Sequence, residues 1–111
     1  MTYEQIASMI ESIGLPFTYY HFAEKEVPAP PFIVFWYPGN ADDFADNVNY
    51  GRMVELNIEL YSDNKDFTQE AAVERVLTAA GLAFEKSETY IDSERMYEVL
   101  YETEVALTNE N

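Results

Sequence analysis

In the stretch VELNIELYSD, residues 54–63, apolar and polar side chains alternate. The aliphatic set is Val54, Leu56, Ile58 and Leu60, and the polar set is Glu55, Asn57 and Glu59. A period of two predicts a β-strand with one buried face and one acidic face. The functional question is what the acidic face contacts: water, a partner, an ion or a DNA channel.

Two segments on either side of this strand have the apolar spacing of helices. The first is predicted over 3–13, where Thr2 can begin a capping box. The second is predicted over 67–80, with Asp66 or Thr68 as its N-cap. Both helices therefore have sequence signals at their starts as well as an apolar stripe.

The remaining apolar segments predict strands at 16–22, 32–37, 52–61, 83–91 and 95–107. The run FIVFWY (32–37) is apolar on both faces, which indicates a central strand or one covered by a partner. The last two strands flank a DSE turn and predict an antiparallel hairpin.

The order αβββαββ indicates one α+β domain over 1–111, with a mostly antiparallel sheet and both helices on one face. Residues 107–111, at the end of the chain, are expected to fray.

The composition is strongly acidic, with 21 acidic against 6 basic residues and a formal charge of -15. Such a surface repels nucleic acid and anionic membranes, and it fits basic partners. The chain has no cysteine, which excludes disulfides and thiolate chemistry. Its start resembles no signal peptide, and no apolar run approaches the roughly 20 residues that span a bilayer. We expect folding in a cytoplasm.

Residues that could carry catalysis or bind a cofactor are sparse. The only histidine, His21, lies in a predicted strand, and the four glycines are isolated, unlike those of a phosphate-binding loop. The segment 39–51 is rich in Asp and Asn but lacks the EF-hand order. Carboxylate pairs such as Glu98 with Glu102 arise by chance in so acidic a chain. We expect no enzyme, no cofactor and no specific metal site.

Large aromatic residues exceed what a small core needs, and those left at the surface are the usual anchors of a protein interface. The candidates are Trp36, Tyr37, Phe44 and Tyr50. The proline-containing arm 23–31 and the loop 39–51 are irregular, so they could reach a neighbouring subunit.

Two long phrases, LNIELYSDNKDFTQEAAVERVL (56–77) and FEKSETYIDSERMYEVLYE (84–102), resemble small structural proteins of tailed phages and prophages of Gram-positive bacteria. LPFTYYHF (15–22) and PPFIVFWYPG (30–39) fit the same pattern. The resemblance covers nearly the whole chain. Within that class it looks like tail terminator or tail completion proteins, with a head–tail connector component as the nearest sibling.

The resemblance implies an α+β subunit of a homo-oligomeric ring, commonly a hexamer, at the end of the tail tube. It implies other tail or neck proteins as partners, assembly in the host cytoplasm and a final place in the virion. No catalytic residues are carried over. The interface candidates above would then serve head-to-tail contacts that close the ring.

The resemblance also gives the acidic face a role as the lining of a channel that lets DNA slide. The residues concerned are Glu55, Glu59, Glu98, Glu102 and Glu104. The simpler interpretation is that they face solvent and keep the protein soluble. A different function remains open, namely an acidic inhibitor or DNA mimic that binds a basic host protein. A mimic would bind its target tightly one to one, whereas a ring protein would self-associate.

Overall fold

The computed structural model describes residues 1–39 and 52–108, with the backbone alone at Arg52. The helices are α1 (Tyr3–Glu11) and α2 (Phe67–Ala79). The strands are β1 (Phe17–Tyr19), β2 (Phe32–Trp36), β3 (Arg52–Ser62), β4 (Phe84–Ile91) and β5 (Met96–Leu107). The predicted α+β class and the order αβββαββ are confirmed.

The five strands form one sheet in the spatial order β1-β2-β3-β5-β4. The short β1 pairs with β2 in parallel, and every other pairing is antiparallel. The strand β3 pairs with β5 along its whole length, from Arg52 opposite Leu107 to Ser62 opposite Tyr97. The predicted β4–β5 hairpin is present. The strand β2 lies between β1 and β3, and Phe32 through Phe35 are all buried. The continuous apolar run of this segment is therefore that of a strand inside the sheet.

The core lies between the helices and one face of the sheet. The four aliphatic side chains of the opening stretch, Val54, Leu56, Ile58 and Leu60, are all 0% exposed. They cluster with side chains from the other elements, including Ile6, Ile10, Val73, Leu77, Val99, Tyr101 and Val105. Full burial of one such aliphatic side chain contributes about 1.5–3 kcal/mol. The alternation in β3 therefore fixes which face of the sheet receives the helices.

Side-chain caps fix where both helices begin. The Thr2 hydroxyl accepts a hydrogen bond from the Gln5 N–H at 3.0 Å, and the Gln5 side chain accepts one from the Thr2 N–H at 2.9 Å. At α2 the Asp66 carboxylate accepts from the Gln69 N–H at 3.1 Å. The N-cap of α2 is therefore Asp66 rather than Thr68.

Two elements are shorter than the sequence predicts by more than one residue. The helix α1 ends at Glu11, and Ser12 caps it by donating its N–H to the Ser8 carbonyl at 3.0 Å. The strand β1 ends at Tyr19 because Tyr20 has a φ of 72°, which breaks the extended backbone.

Met1 and the last described residues of the chain meet beside the sheet. Leu107 is buried at the end of β5, and the Thr108 N–H donates to the Met1 carbonyl at 2.9 Å. The Met1 ammonium donates to the Ala106 carbonyl at 2.8 Å. The rest of the segment expected to fray, 109–111, lies outside the described residues. None of the helices in the described parts of the chain is long and apolar enough to cross a membrane.

Candidate functional site

The sheet surface opposite the helices, which we call the acidic face, carries all five glutamates singled out in the sequence. The alternation places Glu55 and Glu59 of β3 on it, and the register places Glu98, Glu102 and Glu104 of β5 beside them. Glu85 of β4 joins them because it lies opposite Glu102. Among the strand residues that the structure describes, no lysine or arginine lies on this face.

The register sets carboxylates directly opposite one another. Glu55 lies opposite Glu104, and Glu85 lies opposite Glu102. Directly opposed residues have Cβ atoms about 4.5–5.5 Å apart, and like charges in such positions repel. The face therefore concentrates negative potential and attracts cations or a basic surface.

The part of the acidic face near β2 is already occupied by internal contacts. The Trp36 Nε1–H donates to Glu59 at 2.9 Å, and the Tyr61 hydroxyl donates to the same carboxylate at 2.8 Å. Burial, with the neighbouring Glu59 charge, raises the pKa of Glu98 above its usual range. Burial and the hydrogen bond to Glu59 also raise the pKa of Tyr61. Glu59 already accepts two hydrogen bonds and Glu98 is partly buried, so both are less available to an external partner.

The interface candidates Trp36 and Tyr37 are half-buried in an aromatic cluster at the β1 edge. The Trp36 ring packs 5.9 Å from that of Tyr20, and the Tyr37 ring lies 5.1 Å from Tyr3 and 5.5 Å from Tyr19. Burial, with the nearby Tyr3 and Tyr19, raises the pKa of Tyr37 to about 12. The other two candidates, Phe44 and Tyr50, lie outside the described residues, as does most of the loop 39–51.

Three tyrosines that sequence reasoning did not single out are more exposed than Trp36 and Tyr37. Tyr20 is 61% exposed, Tyr19 is 49% exposed and Tyr3 is 47% exposed. For Tyr19 and Tyr20, the sequence signal for exposure was the TYYHF segment (18–22), because its run of aromatic residues extends past the three-residue strand β1. The proline-containing arm that follows starts against the sheet, since the Phe22 ring lies 5.4 Å from that of Phe32.

A cavity of about 670 Å³ opens on the acidic face where β4 begins. The strand β5 continues to Leu107, but its pairing with β4 ends where Phe84 lies opposite Thr103. The polar lining consists mainly of Glu55, Asn57, Glu85, Glu102 and Glu104. Leu82 and Phe84 also line it at the sheet edge, where they pack against the core on the helix side. Asn57 is only 9% exposed.

An ion cluster centred on the buried Glu70, on the helix side of the sheet, was not predicted from the sequence. Glu70 of α2 is 3% exposed, and Lys65 and Lys86 lie 2.5 Å and 2.9 Å from its carboxylate oxygens. Lys86 also contacts Glu74 at 2.7 Å, and the Tyr101 hydroxyl donates to Glu74 at 2.8 Å. The available signal was spacing, because Glu70 precedes the buried Val73 and Leu77 by three and seven residues, on one helical stripe.

These contacts explain the ionisation of the cluster. Burial by itself raises the pKa of Glu70, but hydrogen bonds and charge from Lys65 and Lys86 outweigh it and hold that pKa below its usual range. The hydrogen bond from Lys86 is the main cause that lowers the pKa of Glu74. Both glutamates are therefore ionised at neutral pH, as a structural ion cluster requires.

The described residues offer little for catalysis or metal binding. The exposed His21 has its Nδ1 3.1 Å from the Phe22 carbonyl oxygen and so binds backbone. Within 1–39 and 52–108 no group of three or more acidic, His or Cys side chains is arranged to hold a metal ion. The Asp- and Asn-rich positions 42–49 lie outside those ranges. The chain matches no family model, no curated protein and no solved structure.

Proposed function

We propose that this chain is a non-enzymatic structural or assembly protein of a tailed-phage virion. In this role it acts as a subunit of an oligomeric ring at the tail end or the neck, as a tail terminator or tail completion component. The observation that carries the proposal is the acidic face, because five glutamates from β3 and β5 share one surface with no basic strand residue beside them in the described chain. That the assembly is a tailed-phage virion is proposed from the sequence resemblance.

The physical reason is that DNA must pass such a ring without being held. A carboxylate-lined channel repels phosphates, and at physiological ionic strength this repulsion extends over a Debye length of about 8 Å. Glu102 and Glu104 are exposed and make no ion pair with a described residue, so their charge acts outward. In this proposal they face the lumen, together with Glu55.

The exposed tyrosines at the β1 edge support a contact between subunits. Tyr19 and Tyr20 present large amphipathic rings, and such rings are enriched in the energetic centres of interfaces. A ring requires a heterologous contact, in which this patch would meet a different surface of the next subunit. The neighbouring virion proteins would bind the two rims of the ring.

Native mass spectrometry over a concentration series, with negative-stain images of the same samples, tests the proposal. Closed rings are expected, and Tyr20→Ser should shift them toward monomers. Tyr90→Ser is the matched control, because Tyr90 is also an exposed tyrosine, at 46%, but lies on β4 at the opposite sheet edge. A ring with a neutral or basic lumen would contradict the channel role.

A second candidate is an acidic inhibitor that mimics DNA at a basic site of a host protein. The cross-strand carboxylate pairs Glu55–Glu104 and Glu85–Glu102 favour it, because they form regular rows of negative charge. A strict monomer that captures one basic host protein at a one-to-one ratio would support this candidate over the ring. If the variant Glu102→Gln/Glu104→Gln no longer captures the host protein, the binding site lies on the acidic face.

A further inference from the structure

We propose that the outer edge of β4 pairs with the same edge of a second copy of this chain, in an antiparallel register centred on Ser87. The two copies then share one continuous sheet around a two-fold axis, with five strands from each. This contact is separate from the head-to-tail contact proposed for the ring, which uses the β1 edge. It does not depend on the phage assignment.

The first argument is that the β4 edge is long and unprotected. In the described chain β4 pairs with β5 on one side and with no strand on the other. Its pairing runs without a bulge from Phe84 opposite Thr103 to Ile91 opposite Met96, and it contains no proline. Edge strands that stay single are usually short, bulged or interrupted by proline, since free N–H and C=O groups recruit another strand. The opposite edge follows that rule, because β1 has only three residues.

The second argument is that symmetry leaves few registers for such a pair. Two identical edges meet across a two-fold axis in antiparallel direction, and directly opposed side chains lie on the same face of the sheet. The axis therefore passes through one residue position of β4. Centring it on Lys86 or on Glu88 would oppose two like charges, which is destabilising. Centring it on Ser87 places an uncharged side chain at the axis and pairs the strand over its whole length.

The third argument is that this register is self-complementary on the helix side of the sheet. Lys86 of each copy lies opposite Glu88 of the other copy, and Phe84 of each lies opposite Tyr90 of the other. Tyr90 is 46% exposed, and Phe84 is half-buried at the margin of the core. Opposite charges and aromatic pairs are the cross-strand neighbours that stabilise sheets. A second copy is therefore the partner that this edge fits.

Both charged side chains keep the capacity for these pairs. An ammonium group has three N–H donors, and that of Lys86 contacts two carboxylates, those of Glu70 and Glu74. Glu88 contacts Lys65 through one of its two carboxylate oxygens. The side chains of Lys86 and Glu88 are 38% and 41% exposed. The new pairs thus extend the ion cluster of one copy into the other.

The surroundings of the edge also allow two acidic proteins to approach. Three of the six basic residues, Lys65, Arg75 and Lys86, lie on β4 or on the adjoining end and flank of α2. That flank faces the β4 edge, because Glu74 on it contacts Lys86. It carries a shallow hollow lined by Ala71, Glu74, Arg75, Thr78 and Ala79. Small side chains permit a close approach of two helices, so the α2 helices of the two copies can lie side by side.

A single cysteine tests the register, because the chain has none of its own. Directly opposed residues have Cα atoms about 4.5–5.5 Å apart, which a disulfide can span. Mild oxidation of Ser87→Cys should therefore give a disulfide-linked dimer.

The matched control is Thr89→Cys, an exposed position on the same face of β4. In the proposed register Thr89 lies opposite Glu85 of the other copy, so its two copies are about 13 Å apart along the strands. It should stay unlinked under the same conditions. Absence of a cross-link in Ser87→Cys, or equal cross-linking in Thr89→Cys, would overturn the proposal.

Exchange of the charged pair gives a second test. A contact of one strand and one helix flank is small, so the dimer should form reversibly as concentration rises. In sedimentation equilibrium Lys86→Glu and Glu88→Lys should each dimerise about tenfold more weakly, because each opposes like charges twice. An equimolar mixture of the two should recover dimers, since both cross-pairs are again opposite in sign. A mixture that stays monomeric, although circular dichroism shows both variants folded, would overturn the pairing.

This dimer and the ring are scored separately. Tyr90→Ser should weaken the β4 dimer several-fold and leave ring closure unchanged, because it does not alter the β1 edge. Rings without a cross-link in Ser87→Cys would overturn only the β4 contact. Cross-linked dimers without rings would contradict only the proposed function.

Discussion

At the scale of single residues, Glu70 is the least expected feature, because a carboxylate is buried in the helix–sheet layer. Breaking such a cluster by removing its central charge is destabilising, since its partners remain. Lys65 and Lys86 are partly exposed, at 27% and 38% of their side chains, so they can partly recover hydration. The loss should therefore fall below that of a fully buried pair.

We expect Glu70→Gln to lower the free energy of unfolding by about 1–3 kcal/mol at neutral pH. The control is Glu74→Gln on the same helix, whose side chain is 33% exposed and shares Lys86, and it should cost less. Urea denaturation measures both. Equal losses would show that burial of Glu70 is not what distinguishes it.

The same substitution predicts a pH dependence. The pKa of Glu70 is lowered in the folded state, so its contribution is present above the ordinary glutamate pKa of about 4.3 and is lost as the pH falls through the folded-state value. The stability difference between the unmodified protein and Glu70→Gln should therefore shrink as the pH is lowered through this range. A difference that stays constant with pH would contradict the ion-cluster assignment.

Glu98 should behave in the opposite way. Burial and Glu59 raise its pKa, so its ionised form destabilises the fold above the folded-state pKa, and the penalty disappears below the ordinary value. Glu98→Gln should stabilise the protein at neutral pH by about 0.2–1 kcal/mol, the range for charged cross-strand neighbours. Urea denaturation at neutral and at acidic pH checks this. A gain that persists at acidic pH would point to packing instead of charge.

At the scale of elements, α2 depends on its N-cap, because Asp66 satisfies one of the free N–H groups at the helix start. We expect Asp66→Ala to destabilise the protein by about 1 kcal/mol. Asp63→Ala removes an exposed aspartate from the same turn and should change stability much less. Thermal unfolding of the two variants at neutral pH decides between capping and a general charge effect.

The elements themselves could be predicted from sequence because their signals are local. Alternation in β3, the helical stripe of α2 and the Thr2 cap each depend on residues close in the chain. The parallel pairing of β1 with β2 and the placement of β5 between β3 and β4 depend on contacts between distant segments. No local pattern encodes those contacts.

The candidate site was predictable only in part, for the same reason. The alternation predicted which glutamates share a face. Their pairing opposite one another, and the burial of Asn57 beside them, required the register between β3 and β5. The Glu70 cluster was hidden because a glutamate in a helix usually lies in solvent, and its lysines come from outside α2.

At the scale of the whole molecule, charge is distributed unequally between the two sides of the sheet. Lys65 and Lys86, two of the six basic residues, contact glutamates on the helix side. The acidic face has no such compensation from the strand residues that the structure describes. Self-repulsion across that face opposes the compact state, and the same carboxylates supply the negative potential on which the proposed function depends.

This asymmetry predicts how stability responds to salt. Monovalent salt screens exposed charges more than buried ones, so it should weaken repulsion on the acidic face more than attraction in the Glu70 cluster. The free energy of unfolding should therefore rise as sodium chloride is increased from low ionic strength, measured in urea because guanidinium is itself a salt. In Glu55→Gln/Glu102→Gln/Glu104→Gln the rise should be smaller and the starting stability higher. A fall in stability with salt would mean that attraction within the ion cluster outweighs repulsion across the acidic face, and the face would then lack the outward potential needed to repel DNA.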